Sequence, residues 1–129
     1  MPKAPLISIV EDDEFAREST KRLMRAAGYT AEAFPSAADF LASRLLNETA
    51  CLIADIHMPA MTGVELYALL IETGHAIPTI LVTGYPDEIT RARALKDGIF
   101  CYLRKPLDDN NLIDCVRRAV QGKPPAENS

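Results

Sequence analysis

Short apolar runs alternate with amphipathic stretches five times along this chain. The apolar runs predict strands at residues 6–10, 30–34, 50–54, 78–82 and 99–103. The stretches that follow them repeat apolar positions every three to four residues and predict helices at 14–27, from 36 onward, and at 64–73, 87–97 and 108–121. This alternation is typical of a parallel sheet with helices packed on both faces.

Five strand–helix units leave few possible architectures. A closed parallel barrel needs eight such units, and crossovers between parallel strands are right-handed in nearly all proteins. We therefore predict an α/β fold, a doubly wound (βα)5 sandwich of the flavodoxin-like type, with a five-stranded parallel sheet of order 2-1-3-4-5. Residues 1–121 form one domain in this prediction. Residues 122–129 carry prolines and polar residues and are expected to be a flexible tail or the start of a linker.

The composition is typical of one soluble domain and argues against several other classes of protein. The chain has 129 residues, of which 48% are hydrophobic and 25% charged, so we expect neither a disordered chain nor a membrane protein. The net charge of −4 argues against direct binding of nucleic acid by this domain. Cys51, Cys101 and Cys115 are odd in number and lie in apolar runs, which predicts buried free thiols in a reducing cytoplasm.

Isolated polar residues collect at the carboxyl ends of the predicted strands. The first strand is followed by Glu11, Asp12 and Asp13, and the third is followed by Asp55. Functional residues of doubly wound sheets lie beyond these strand ends. Strands one and three are neighbours in the predicted order, so their carboxylates should converge and raise one another's pKa. A divalent cation, or a lysine such as Lys105 after strand five, would relieve that repulsion.

Converging carboxylates favour Mg²⁺ at this edge of the sheet. This ion takes oxygen ligands in octahedral geometry, keeps several waters, and favours one or two carboxylates together with a phosphate oxygen. We expect Asp12 and Asp55 to be direct ligands and Glu11 to act mainly through water. The backbone carbonyl of His57 is expected to complete the protein's share of the ligands.

Four short segments resemble the receiver domains of bacterial two-component response regulators. They stand in the family's order, and the resemblance covers nearly the whole chain, roughly from residue 6 to residue 120. One such segment alone would be a weak signal, whereas all four at the ends of the predicted strands are specific. The segments are Ile9-Val10-Glu11-Asp12-Asp13, Asp55-Ile56-His57-Met58-Pro59-Ala60-Met61-Thr62-Gly63, Val82-Thr83-Gly84 and Lys105-Pro106.

The resemblance implies a role for each matching residue. Asp55 corresponds to the phospho-acceptor, and Glu11 and Asp12 correspond to the acidic pair at the metal site. Thr83 corresponds to the hydroxyl residue that contacts the phosphoryl group. Lys105 corresponds to the lysine that pairs with the acceptor or with the incoming phosphoryl group.

Other positions are expected to tune or transmit the signal. Tyr102 corresponds to the aromatic switch residue that turns inward when Thr83 moves toward the phosphoryl group. The peptide bond between Lys105 and Pro106 is expected to be cis. His57, two residues beyond the acceptor, either tunes the access of water to the phosphoryl group or is simply an exposed loop residue.

The implied function is a phosphorylation-dependent signalling switch that catalyses only its own phosphorylation and slow dephosphorylation. A sensor histidine kinase or a phosphotransfer protein would donate the phosphoryl group to Asp55. The new charge would change the surface formed by helix 4, strand 5 and helix 5. That surface would control an output domain or partner protein and could mediate dimerisation.

Three other functions are compatible with the predicted fold. A flavodoxin-like cofactor-binding protein would cradle a phosphate in the loop after strand one, where Glu11-Asp12-Asp13 would repel it. An aspartyl-nucleophile phosphatase usually carries a second Asp two residues after the nucleophile, where this chain has His57. A receiver that is never phosphorylated is also disfavoured, because the residues needed for the reaction are present.

Overall fold

The computed structural model describes residues 4–125, and within them five parallel strands alternate with five α-helices. Most predicted boundaries differ from the observed ones by one or two residues. A short 3₁₀ helix at Arg44–Glu48 separates α2 from β3. The elements are β1 Leu6–Val10, α1 Glu14–Ala26, β2 Thr30–Phe34, α2 Ala37–Leu41, β3 Thr49–Asp55, α3 Gly63–Glu72, β4 Thr79–Thr83, α4 Glu88–Lys96, β5 Cys101–Arg104 and α5 Asp109–Gln121.

The strands form one parallel sheet in the order β2-β1-β3-β4-β5, which confirms the predicted fold class and topology. The register places Val10 of β1 beside Ala54 of β3. It also places Asp55 beside Val82 of β4, and Thr83 beside Arg104 of β5. Because of this alignment, the residues that follow β1, β3, β4 and β5 emerge at the same edge of the sheet.

Two separate hydrophobic cores lie on the two faces of the sheet. One core contains Phe40 of α2, Leu66 of α3 and Ala94 of α4. The other contains Met24 of α1 and Leu112 of α5. Since every β1 residue is buried, the first strand is covered from both sides, as its apolar run, interrupted only by Ser8, predicts.

Side-chain caps determine where the helices begin. Ser36 accepts a hydrogen bond from the Asp39 N–H at 3.1 Å, as the sequence suggests for the start of α2. The second helix is nevertheless only five residues long. Ser43 accepts a hydrogen bond from the Leu45 N–H at 3.0 Å and starts the 3₁₀ helix instead. This local side-chain bond competes with continuation of the α-helix.

Cys51, Cys101 and Cys115 are buried free thiols, as predicted, and burial raises the pKa of Cys51 to about 12. Within residues 4–125, none of the helices combines the length and the apolar character needed to cross a membrane. The last helix ends at Gln121, and residues 126–129 of the predicted tail lie outside the described part of the chain.

Candidate functional site

The carboxyl ends of four strands bring four of the predicted site residues to one edge of the sheet. Glu11 directly follows β1, Asp55 is the last residue of β3, and Thr83 is the last residue of β4. Lys105 follows β5, and its backbone N–H donates to the Thr83 carbonyl at 2.8 Å. The parallel arrangement therefore assembles one site from residues that are distant in the sequence.

Three carboxylates converge at this edge. One oxygen each of Glu11, Asp12 and Asp55 lie within 4.8 Å of one another. Glu11 and Asp55 are only 5% and 6% exposed, whereas Asp12 is exposed. Carboxylates this close repel one another unless a cation or a proton intervenes. All three supply oxygen ligands, the type that Mg²⁺ prefers, so the cluster fits the ion predicted from the sequence.

Lys105 pairs with two of these acids. Its Nζ donates to Glu11 Oε1 at 2.7 Å and to Asp55 Oδ2 at 3.1 Å. Burial alone would lower the pKa of Lys105, but the hydrogen bonds to Glu11 and Asp55 outweigh it and raise that pKa. The peptide bond between Lys105 and Pro106 is cis, as predicted.

Glu11 resists ionisation in the ion-free protein. Burial raises its pKa to about 7, and although the Lys105 hydrogen bond opposes that rise, the neighbouring Asp55 adds to it. The Asp13 N–H also donates to Glu11 Oε2 at 3.3 Å. One lysine therefore compensates only part of the negative charge, which leaves an electrostatic environment that favours a divalent cation.

Thr83 lies on β4, the strand next to the acceptor strand β3, and Tyr102 lies on β5, one strand further out. Thr83 is fully buried, and its Oγ1 accepts a hydrogen bond from the Tyr85 N–H at 3.0 Å. The ring of Tyr102 is buried in the core beneath α3 and α4. The Tyr102 hydroxyl accepts a hydrogen bond from the N–H of Asp87, the residue that caps α4, at 3.4 Å. Tyr102 is thus a buried strand residue whose hydroxyl contacts the start of α4.

His57 lies at the mouth of the site with its side chain exposed. Its backbone N–H donates to Asp55 Oδ1 at 3.1 Å. Its ring meets the ring of Tyr85 edge-on, with 5.4 Å between the ring centroids. The predicted contribution of the His57 carbonyl to an ion stays a prediction.

The loop after Asp55 contains two backbone features that the sequence alone did not identify. A Cβ on Gly63 would lie 2.5 Å from the Asp55 carbonyl oxygen, a distance that real Cβ atoms do not adopt. Ala60 has a φ of 68°, in the left-handed region that L residues other than glycine rarely enter. The Thr62–Glu65 capping box then starts α3. The glycine after Thr62 was the available signal for the close approach, whereas no signal identified the unusual alanine.

Arg17 is a further residue of the site that the sequence analysis missed. It lies in the first turns of α1, and its Nη1 donates to the carbonyl of Glu11 at 3.0 Å and to the carbonyl of Asp12 at 3.2 Å. Nothing in the local pattern distinguishes it from a solvent-facing helical arginine, because the contact depends on the path of the loop.

Comparison with known proteins agrees with this geometry. The family model described as "Response regulator receiver domain" matches residues 7–117. Nodulation protein W of Bradyrhizobium diazoefficiens is 34% identical over 116 residues, which cover 90% of this chain and 51% of that protein. The C4-dicarboxylate transport transcriptional regulatory protein DctD of Rhizobium meliloti is 32% identical over 121 residues, 94% of this chain and 26% of that protein. The chain thus spans about half the length of Nodulation protein W and about a quarter of the length of DctD.

Solved structures give the same result. The response regulator StyR superposes with a TM-score of 0.85 at 33% identity, over 93% of this chain and 61% of the StyR chain. The structure titled FixJ-N superposes with a TM-score of 0.82 at 30% identity, over 93% of this chain and 96% of that one. Because the family model matches residues 7–117, which include the acidic cluster, and a relative that is 34% identical covers 90% of the chain, the chain belongs to the response regulator receiver domain family.

Proposed function

We propose that this domain is a phosphorylation-operated switch in which Asp55 accepts a phosphoryl group with the help of Mg²⁺. One observation carries most of the proposal: a buried acceptor carboxylate, a second buried acid and an exposed acid share one 4.8 Å cluster. Lys105 is hydrogen-bonded to both buried acids of that cluster. This combination of oxygen ligands, nucleophile and cation matches what phosphoryl transfer requires, which is mainly positioning and neutralisation of charge.

Asp55 is oriented for nucleophilic attack. Its Oδ1 accepts from the His57 N–H and its Oδ2 accepts from Lys105, so both oxygens are held in place. In the proposed reaction one carboxylate oxygen attacks the phosphorus of a phosphohistidine, and a P–O bond forms as the P–N bond breaks. The electron pair of the broken bond goes to the imidazole nitrogen of the donor. Water later cleaves the acyl phosphate.

The residues that would hold Mg²⁺ are Asp12, Asp55, Glu11 through water, and the carbonyl of His57. When bound, the ion supplies positive charge that offsets the repulsion between the acceptor carboxylate and the incoming phosphoryl group. Lys105 shares this task, because its Nζ already lies between Glu11 and Asp55. Its ammonium is a compact charge that can turn from a carboxylate toward a phosphoryl oxygen.

Phosphorylation would change the structure outside the site through residues of β4 and β5. Thr83 would exchange its hydrogen bond with the Tyr85 N–H for one with the phosphoryl group. The Tyr102 hydroxyl accepts a hydrogen bond from the N–H of Asp87 at the N-terminal end of α4. A shift of the Tyr102 ring would therefore move or release that end of the helix. Phosphorylation would shift the population of two states that differ at the surface of α4, β5 and α5.

The proposed donor is a sensor histidine kinase or a phosphotransfer protein, and the proposed target is an output domain or a partner protein. The relatives support an output role, because several are named transcriptional regulatory proteins and this chain covers 26% of DctD and 57% of the FixJ of Azorhizobium caulinodans. Family membership argues against both a flavodoxin-like cofactor carrier and an aspartyl phosphatase.

The proposal can be tested with a small-molecule phosphoryl donor. Incubation with acetyl phosphate and Mg²⁺ should add one phosphoryl group, detected by intact-protein mass spectrometry. Asp55→Asn should abolish the addition, because an amide oxygen is a poor nucleophile. Asp39→Asn, at an exposed acid of α2, is the matched control and should be labelled like the wild type. Equal labelling of Asp55→Asn and wild type would overturn the assignment.

A further inference from the structure

The loop between β1 and α1 carries the acids of the proposed ion site and is only three residues long. Val10 ends β1 and Glu14 begins α1, so Glu11, Asp12 and Asp13 make the whole connection. Asp13 is occupied as the cap of α1, since its Oδ2 accepts from the Ala16 N–H at 2.8 Å. The other two acids must direct their carboxylates toward the site, and the Asp13 N–H assists only Glu11, by donating to its Oε2 at 3.3 Å.

Arg17 binds the backbone of these two residues. Its Nη1 donates to consecutive carbonyls, those of Glu11 at 3.0 Å and of Asp12 at 3.2 Å. A hydrogen bond from a charged donor is about twice as strong as one between neutral groups. Two such bonds on neighbouring peptide units fix the backbone orientation of the loop, and the directions of the two side chains follow from it.

Arg17 is the fourth residue of α1, near a helix end where the dipole does not favour a cation. Partial positive charge on the unpaired N–H groups of the first turn favours acids there, and Glu14 occupies that turn. The bonds from Arg17 to the loop carbonyls are therefore favourable contacts that the helix itself does not supply.

Arg17 also brings charge to the site without using the carboxylate oxygens. Lys105 occupies an oxygen of Glu11 and an oxygen of Asp55. Within residues 4–125 the Asp12 carboxylate, by contrast, has no hydrogen-bond or ion-pair partner. Since Arg17 binds carbonyls, the oxygens of Asp12 stay available for a metal ion.

We infer that Arg17 is a positioning residue for the metal site: it holds the Glu11–Asp12 loop in its ion-binding conformation before the ion arrives. The inference rests on the proposed Mg²⁺ site and adds to it a residue that touches neither the ion nor the phosphoryl group. Preorganisation of this kind increases affinity, because binding then does not have to order the loop.

The Mg²⁺ affinity of Arg17 variants distinguishes a positioning role of Arg17 from a purely electrostatic role. Removing a nearby cation should tighten the binding of Mg²⁺ if Arg17 acts only through its charge. If Arg17 positions the loop, Arg17→Gln should instead weaken Mg²⁺ binding. The expected loss of affinity is about tenfold, which corresponds to the free energy of one strong hydrogen bond. Arg17→Lys keeps a donor and the charge, and should restore part of the affinity.

The experiment measures Mg²⁺ affinity of the unphosphorylated protein by isothermal titration calorimetry at constant ionic strength. Arg22→Gln is the matched control, because it removes the same charge from an exposed position of α1. A second measurement without metal, amide hydrogen exchange at Asp12 and Asp13, should show faster exchange in Arg17→Gln than in Arg22→Gln.

The outcomes distinguish the inference from the function on which it rests. Wild-type protein that fails to bind Mg²⁺ would refute the proposed function itself. Wild-type binding with equal or tighter binding by Arg17→Gln would refute the positioning role alone. Weaker binding in Arg17→Gln with partial recovery in Arg17→Lys, and none of the loss in Arg22→Gln, would support it.

Discussion

Lys105 Nζ lies 2.7 Å from Glu11 Oε1, although 94 residues separate the two along the chain. The same nitrogen lies 3.1 Å from Asp55 Oδ2. Glu11 and Asp55 are buried, and the lysine side chain is 29% exposed. A single cation therefore links three strands of the sheet at the edge where the phosphoryl group is expected to bind.

We predict that Lys105→Met destabilises the ion-free protein near neutral pH. Both buried acids would lose their hydrogen-bonded cation, and removing one partner of a buried charged contact is costly. The expected loss is about 1–3 kcal/mol in the free energy of unfolding measured with urea. Lys96→Met, at an exposed lysine of α4, should change it by less than about 0.5 kcal/mol. Equal effects of the two substitutions would contradict a specific role for the Lys105 contacts.

Glu11 should make the stability of the ion-free protein depend on pH. Its pKa is about 7 in the folded protein and 4.5 as the ordinary value. The folded state therefore binds the proton more tightly than the unfolded state, and stability should fall as pH rises from 4.5 to about 7. The loss due to Glu11 should be on the order of 2–3 kcal/mol.

Urea unfolding of wild type and Glu11→Gln across this pH range measures the Glu11 contribution. Glu11→Gln should remove most of the decline, because the amide does not titrate. Lys105 should not contribute to the slope there, since its raised pKa keeps it charged throughout. Identical pH profiles for the two proteins would show that Glu11 titrates normally. Saturating Mg²⁺ should reduce the decline, because the ion binds the ionised form of the acid cluster.

Gly63→Ala should displace the acceptor strand. The new Cβ would lie 2.5 Å from the Asp55 carbonyl oxygen and 3.1 Å from the Asp55 carbonyl carbon, so backbone must move. We expect a loss of about 1–3 kcal/mol in unfolding free energy and slower labelling by acetyl phosphate. Gly84→Ala is the control, because its Cβ would meet nothing within 4 Å. Preserved stability in Gly63→Ala would mean that the loop can move away freely.

Ala60→Gly should stabilise the protein, which is the opposite of the usual effect of adding a glycine. Ala60 has a φ of 68°, a conformation that costs an L residue roughly 1–2 kcal/mol. Glycine removes this cost but loses more backbone entropy on folding, so the expected net gain is about 0.5–1 kcal/mol. Ala92→Gly, at an exposed position inside α4, should destabilise by about 1 kcal/mol. The sign of the difference, measured by thermal unfolding, tests the local strain.

The sequence predicts those features that depend on chain order and periodicity. Strand order follows from the alternation of strands and helices, and that order brings Glu11 next to Asp55. The position of Lys105 after the fifth strand then predicts its contact with the acids, which the structure contains. These predictions succeeded because they required only knowing where each strand ends.

Features that depend on the path of a loop were not predictable in this way. The contact of Arg17 with the Glu11 and Asp12 carbonyls requires the loop to turn its backbone toward α1. The positive φ of Ala60 has no counterpart in residue type, since alanine does not favour it. The short second helix arises from competition between Ser43 and continuation of the helix, a balance that periodicity does not reveal.

Because the two cores lie on opposite faces of the sheet, each can be redesigned separately in protein engineering. Met24 and Leu112 pack on one side, and Phe40 and Leu66 pack on the other, with the backbone of the sheet between them. Substitutions on different sides share few partners, so their effects on stability should add. Stabilising substitutions in the core beneath α1 and α5 can therefore offset a loss of folding stability caused by redesigning α4. The core that contains Tyr102 stays unchanged by those substitutions and can still rearrange.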